Sequence, residues 1–135
     1  MSVARRPART NSGPGRVLVA VYGIFALAAT ARAVVQLATK FAEAPLAYLL
    51  SALAGVVYIV ATLTLARGTS TSRRVALVAI VVELVGVLTV GTLSLADAAA
   101  FPRATVWSSY GIGYGFVPLV LPFLGLAWLW RTRPR

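Results

Sequence analysis

Residues 75–96 read VALVAIVVELVGVLTVGTLSLA, 22 residues with a single charge, Glu83, at the ninth position. Coiled as an α-helix at 1.5 Å per residue, the stretch is about 33 Å long, enough to cross a hydrocarbon core of ~30 Å. A helix on the surface of a soluble domain would keep one polar face, and this one keeps none. It is also too long, and too free of alternation, for a barrel strand. The stretch reads as a transmembrane helix.

Three more runs of the same kind lie around it. Val17–Thr39 is interrupted only by Arg32, Leu46–Ala66 holds no charge, and Ile112–Trp130 carries two prolines and several glycines. Pro45 fits the first turn of the second run, where its missing N–H costs nothing. The pattern predicts an all-α membrane protein, a bundle of four transmembrane helices at 17–39, 45–66, 75–96 and 112–130. What remains is short: a disordered basic N-terminal tail over 1–16, rich in Arg, Pro, Ser and Gly, links over 40–44, 67–74 and 97–111, and a basic C-terminal tail over 131–135. With 135 residues, 59% of them hydrophobic, and a mean hydropathy of +0.85, the chain leaves no room for a soluble domain.

The charges predict an orientation. Arg5, Arg6, Arg9 and Arg16 precede the first run, Arg67, Arg73 and Arg74 separate the second from the third, and Arg131, Arg133 and Arg135 follow the fourth. Four spans put all ten on one side, against Lys40, Glu43, Asp97 and Arg103, which sum to zero, on the other. The positive-inside rule then makes both termini cytoplasmic in a bacterial cell membrane. Trp128 and Trp130 fall at the inner interface and Trp107, Tyr110 and Tyr114 at the outer, as aromatic belts do. So distributed, a net charge of +10 speaks for a lipid bilayer as partner and not for nucleic acid. The N-terminus also has the parts of a signal peptide, with small-x-small sites at Ala29–Ala31 and Ala31–Ala33. Apolarity resumes at Val34, however, and favours an uncleaved first helix.

The chain has neither cysteine nor histidine. Thiol nucleophiles, disulfides, thiolate metal sites and imidazole bases are all excluded, so no catalytic residue, metal or cofactor is expected.

Helix–helix contacts in lipid are made by small and hydrogen-bonding residues. On the first helix Arg32, Gln36, Thr39, Lys40 and Glu43 recur at spacings of three and four, in its outer half. On the second, Tyr48, Ser51, Gly55, Tyr58 and Thr62 share a face, as do Ala76, Ala79, Glu83, Gly86, Val90 and Ser94 on the third. These faces are expected to meet. A mid-membrane carboxylate costs at least ~2.5–3.5 kcal/mol on insertion scales, so Glu83 needs a partner. The expected one is the Tyr58 hydroxyl, with Thr62 at a similar depth. Arg32 lies higher, where it reaches Glu83 only through a bridging water or tyrosine, or snorkels outward. In the fourth run, Gly111 and Gly115 form a G-x-x-x-G that predicts close helix packing, and Pro118 and Pro122 predict a kink. Gly113–Gly115 matches the end of the potassium-filter sequence T-V-G-Y-G, but Gly111 stands where its Thr belongs and no pore helix precedes it.

The stretches VQLATKF (Val35–Phe41) and WSSYGIGYGFVPLVLP (Trp107–Pro122) resemble those of small four-span integral membrane proteins of actinobacteria, over roughly Val17–Trp130. The resemblance implies topology and no chemistry. Small multidrug-resistance transporters share the size and span count, but their working glutamate is in the first helix, where this chain has Arg32. Two functions are therefore expected. One is a non-enzymatic accessory or helix–helix interaction component, with a homo-oligomer or a larger membrane protein as partner. The other is a small oligomeric proton- or cation-coupled transporter that uses Glu83.

Overall fold

The computed structural model describes residues 10, 13–39, 42, 45–97, 99, 105 and 107–133, and every regular element among them is helical. They are α1 (Pro14–Thr39), α2 (Pro45–Arg67), α3 (Ser70–Ala96), a short elbow (Ser108–Tyr114) and α4 (Val117–Arg131). Three helices, α1 to α3, are long and apolar enough to cross a membrane. The elbow and α4 count as a fourth only if the pair, bent by 97°, forms one span. Lys40, Glu43, Arg103, Arg135 and the arginines before Thr10 lie outside the described residues.

The helices begin earlier than apolarity alone predicts. α1 starts at Pro14, inside the expected tail, and Thr10 is packed, its hydroxyl donating to the Leu65 carbonyl and its own carbonyl accepting from the Trp128 indole at 2.9 Å. α3 starts at Ser70, five residues ahead of Val75. There Thr69 and Ser72 form a reciprocal capping box: Ser72 N–H donates to Thr69 Oγ1 at 3.1 Å and Thr69 N–H to Ser72 Oγ at 2.8 Å. A cap satisfies orphan N–H groups whatever the hydropathy, so Arg73 and Arg74 belong to the helix and not to a loop.

The fourth expected helix, 112–130, is not continuous. Ser109, Tyr110 and Gly111 have φ of 50°, 59° and 84°, and Gly115 and Phe116 have 64° and 60°. A run of left-handed residues cannot continue a right-handed helix. α4 begins after it, with Pro118 in the first turn, where proline is tolerated, and Pro122 inside. Gly111 and Gly115 therefore do not share a helix face, and the expected G-x-x-x-G contact does not form.

The buried faces are small-residue faces. Ala26, Ala29 and Ala33 of α1, Ala54 and Ala61 of α2, and Ala76 and Ala79 of α3 are buried, while Leu27, Ile24, Val56, Leu63, Val78 and Val85 point outward. This inside-out distribution suits lipid, where close backbone packing replaces the hydrophobic effect between helices. Gly55 shows it best, since a Cβ there would stand 3.4 Å from the Thr30 backbone. The most extensive packing is between α1 and α2, next between α2 and α3, and α3 also packs on the elbow and on α4. The start of α1, the end of α2, the start of α3 and the end of α4 all lie at one end, tied by the Thr10 bonds and by Arg73, which donates to Thr132 Oγ1 at 2.9 Å and to the Leu129 carbonyl.

Candidate functional site

Glu83 is the fourteenth of the 27 residues of α3 and is 0% exposed. It stands where α1, α2, α3 and α4 come together. From α1, Tyr22 donates its hydroxyl to Glu83 Oε1 at 2.6 Å. From α2, Tyr58 lies within electrostatic reach of the carboxyl. From α4, Gly125 backs the site so closely that a Cβ would come 3.0 Å from the Tyr22 hydroxyl and 2.9 Å from Ile80. The second carboxyl oxygen, Oε2, is buried and has no hydrogen-bond partner.

The expected partner Tyr58 does stand beside the Glu83 carboxyl and interacts with it, but the short 2.6 Å hydrogen bond comes from Tyr22. The Tyr58 oxygen also accepts from the Trp107 indole at 3.1 Å, which leaves its own O–H free to face the carboxyl. Trp107 was expected in an interfacial belt, but it is 1% exposed and reaches into the helix packet. Its ring fills the notch left by Gly86, where a Cβ would fall 2.6 Å from it. Tyr110 does the same at Gly91 and shares a 2.8 Å hydrogen bond with Thr92. Gly86 thus receives a ring from the connection rather than a neighbouring helix. The elbow's unusual backbone is held by side chains: Ser109 N–H donates to Ser94 Oγ at 2.8 Å, and Trp107 and Ser108 N–H both donate to Thr105 Oγ1.

Around the carboxyl runs a chain of ring contacts. Tyr22 meets Tyr58 at 6.1 Å between centroids, Tyr58 meets Trp107 at 6.4 Å, Phe25 meets Tyr58 at 5.6 Å, and Phe25 meets Tyr114 at 5.5 Å. All are tilted pairs of the kind aromatic quadrupoles favour. The chain ends at Arg32, whose guanidinium is 3.4 Å from the Tyr114 hydroxyl. A tyrosine does receive Arg32, then, but Phe25 and Tyr58 separate that tyrosine from Glu83.

The other sequence candidates divide between the two helices of the α1–α2 contact. Tyr48, Ser51, Gly55 and Tyr58 are buried on one face of α2. Thr62, half-buried on that face, turns its hydroxyl back to the Tyr58 carbonyl at 2.6 Å. Gln36 Oε1, Thr30 Oγ1 and Ser51 Oγ are buried without hydrogen-bond partners. Gly111 lies against the Pro118 ring, where a Cβ would be 2.6 Å away, and Gly115 faces open space. Among the described residues no group of three metal-ligating side chains forms.

Tyr22 was the residue that sequence reasoning missed. It is five residues past Val17, as Glu83 is eight past Val75, so the two start at comparable depths. It also heads the small-residue face of Ala26, Ala29 and Ala33.

No family model matches this chain, and no curated protein and no solved structure matches it either.

Proposed function

We propose that the chain is a non-enzymatic integral membrane protein of the bacterial cytoplasmic membrane, a bundle of four spans with both termini cytoplasmic, and that it serves as an accessory or helix–helix interaction component. One observation carries this reading: the buried tyrosine and tryptophan polar groups around Glu83 are used within the core. Tyr22 serves Glu83, Trp107 serves Tyr58, and rings from the connection fill the glycine notches of α3. Such a core fixes four segments in one arrangement and leaves the outward apolar faces to lipid and to other helices. The ten arginines on one side support the orientation, and the resemblance to small actinobacterial four-span proteins supports the span count.

The test is purification of the tagged chain from its native membrane in mild detergent, with wild type and Glu83→Gln compared. An accessory component co-purifies with a larger membrane protein at fixed stoichiometry, and Glu83→Gln, which keeps an acceptor for Tyr22, retains it. A clean homo-oligomer in both counts against the reading.

A second reading has its own observation, the unpartnered and fully buried Oε2 of Glu83. In a proton- or cation-coupled transporter that oxygen would take the coupling ion, with Tyr22 and Tyr58 setting its affinity and Arg32 holding an anionic group further out. Proton flux into liposomes that survives Glu83→Ala unchanged removes this reading.

A further inference from the structure

The start of α3 and the end of α4 enclose a groove of about 620 Å³. Its walls are of two kinds. Arg73, Arg74, Arg133 and Trp130 belong to the helix ends, and Leu77 and Leu126 line the groove further along α3 and α4. The arginines are not equivalent. Arg73 is half-buried and anchored by its bonds to Thr132 and the Leu129 carbonyl. Arg133 lies 3.9 Å over the Trp130 ring and donates to the Trp130 carbonyl at 2.6 Å. Arg74 is exposed. A guanidinium has five N–H donors, so after these internal bonds each arginine keeps donors for a ligand.

The charge is uncompensated within the groove. None of the three acidic residues of the chain lines it: Glu83 is at mid-helix and Asp97 caps the far end of α3, while Glu43 lies outside the described residues. The first turn of α3 adds the positive end of a long helix dipole. Three arginines and a helix start above a leucine wall match one chemistry in particular, a phosphodiester with an acyl chain attached. Arginine takes a phosphate bidentately, and the leucines offer an apolar surface running down from it.

We infer that this groove binds one molecule of an anionic diacyl phospholipid, its phosphate among Arg73, Arg74 and Arg133 and an acyl chain along Leu77 and Leu126. The site is independent of Glu83 and of the function proposed above, and it needs only that this end of the helices lie at headgroup depth. By holding α3 and α4 through one ligand, the lipid braces the α4 end, where the shortest helix has the least of its own packing.

The test uses the full chain, purified and delipidated in detergent, and titrated with phosphatidylglycerol or phosphatidylcholine while native mass spectrometry counts the lipid retained. Three variants are compared. Arg74→Ala with Arg133→Ala removes two of the groove's arginines, Arg67→Ala with Arg131→Ala removes the same charge from the same end outside the groove, and Leu77→Trp fills the acyl wall without changing charge. The expected result is one tight phosphatidylglycerol on the wild type and on the Arg67/Arg131 variant. Binding should be about tenfold weaker on the other two, and phosphatidylcholine weak throughout. Equal losses in both arginine pairs would mean diffuse surface attraction and overturn the site. So would equal binding of the two lipids, full binding by Leu77→Trp, or competition by glycerol phosphate as strong as by the lipid.

Discussion

A carboxyl group at mid-helix in hydrocarbon is tolerated when its hydrogen-bonding needs are met by protein, because no water competes for them. Glu83 meets half of that need through Tyr22 and leaves Oε2 bare. Tyr22→Phe removes the donor while keeping the ring that touches Tyr58, so it should destabilise the protein by about 0.6–1.7 kcal/mol, the range of interhelical hydrogen bonds in membranes. Reversible unfolding in mixed micelles measures it. The same substitution placed on Glu83→Leu should cost much less, and equal costs in the two backgrounds would show that the 2.6 Å bond contributes nothing. Glu83→Gln should stay within a few tenths of a kcal/mol of the wild type, since the amide oxygen still accepts from Tyr22. The existence of a buried partner was legible in the sequence, because a lone intramembrane acid demands one. Its identity was not. Tyr58 and Tyr22 both occupy small-residue faces at a suitable depth. Both stand against the carboxyl, Tyr22 with the 2.6 Å bond, and Tyr58 also accepts from the Trp107 indole, which belongs to a connection with no periodicity to read.

At the scale of the element, the first three helices were legible because a membrane helix is announced by composition alone, and their boundaries were missed only where a cap or a packed tail extends them. The last element was misread because hydropathy averages over backbone conformation. The string YGIGYGFVP carries no charge and so reads as the start of the apolar run, yet its glycines and Pro118 mark a left-handed elbow. That difference is measurable. In a continuous helix Gly111 and Gly115 would be equivalent packing positions, and alanine at either would cost about the same. In the elbow they are not. Gly111→Ala meets both a φ of 84° and the Pro118 ring, whereas Gly115→Ala meets only a φ of 64° in open space. Gly115→Ala should cost about 1–2 kcal/mol, the left-handed penalty, and Gly111→Ala clearly more. Gly113→Ala, with open space and no positive φ, should be close to neutral. The docking of the connection has a matching test. Trp107→Ala empties the Gly86 notch and frees the Tyr58 hydroxyl, so it should cost about 3 kcal/mol or more and open residues 97–116 to protease. Gly86→Leu should reproduce the protease sensitivity by expelling the ring. If both variants stay resistant, Trp107 does not hold the connection.

At the scale of the whole molecule, the proposed fourth span rests on a helix of 15 residues. α4 is about 22 Å long at 1.5 Å per residue, short of a ~30 Å core. Its far end nevertheless sits beside the start of α3, because Arg73 reaches Thr132 and the Leu129 carbonyl. In the proposed four-span arrangement the elbow carries the remainder of the crossing, with its backbone bonded to Ser94 and within itself. A chain without cysteine makes the consequence easy to check with single introduced thiols at exposed positions: Thr71→Cys at the start of α3, Asp97→Cys at its end, and Arg133→Cys past α4. An impermeant maleimide added to intact cells should label Asp97→Cys, and should reach Thr71→Cys and Arg133→Cys only after permeabilisation. Labelling of Thr71→Cys and Arg133→Cys together from outside would keep the geometry and invert the orientation, so the arginine asymmetry would have failed as a guide. Labelling of Arg133→Cys together with Asp97→Cys would place the two ends of α3 and α4 on the wrong sides of the bilayer. The Arg73–Thr132 contact could not then exist, and the elbow would be a surface loop instead of part of a span.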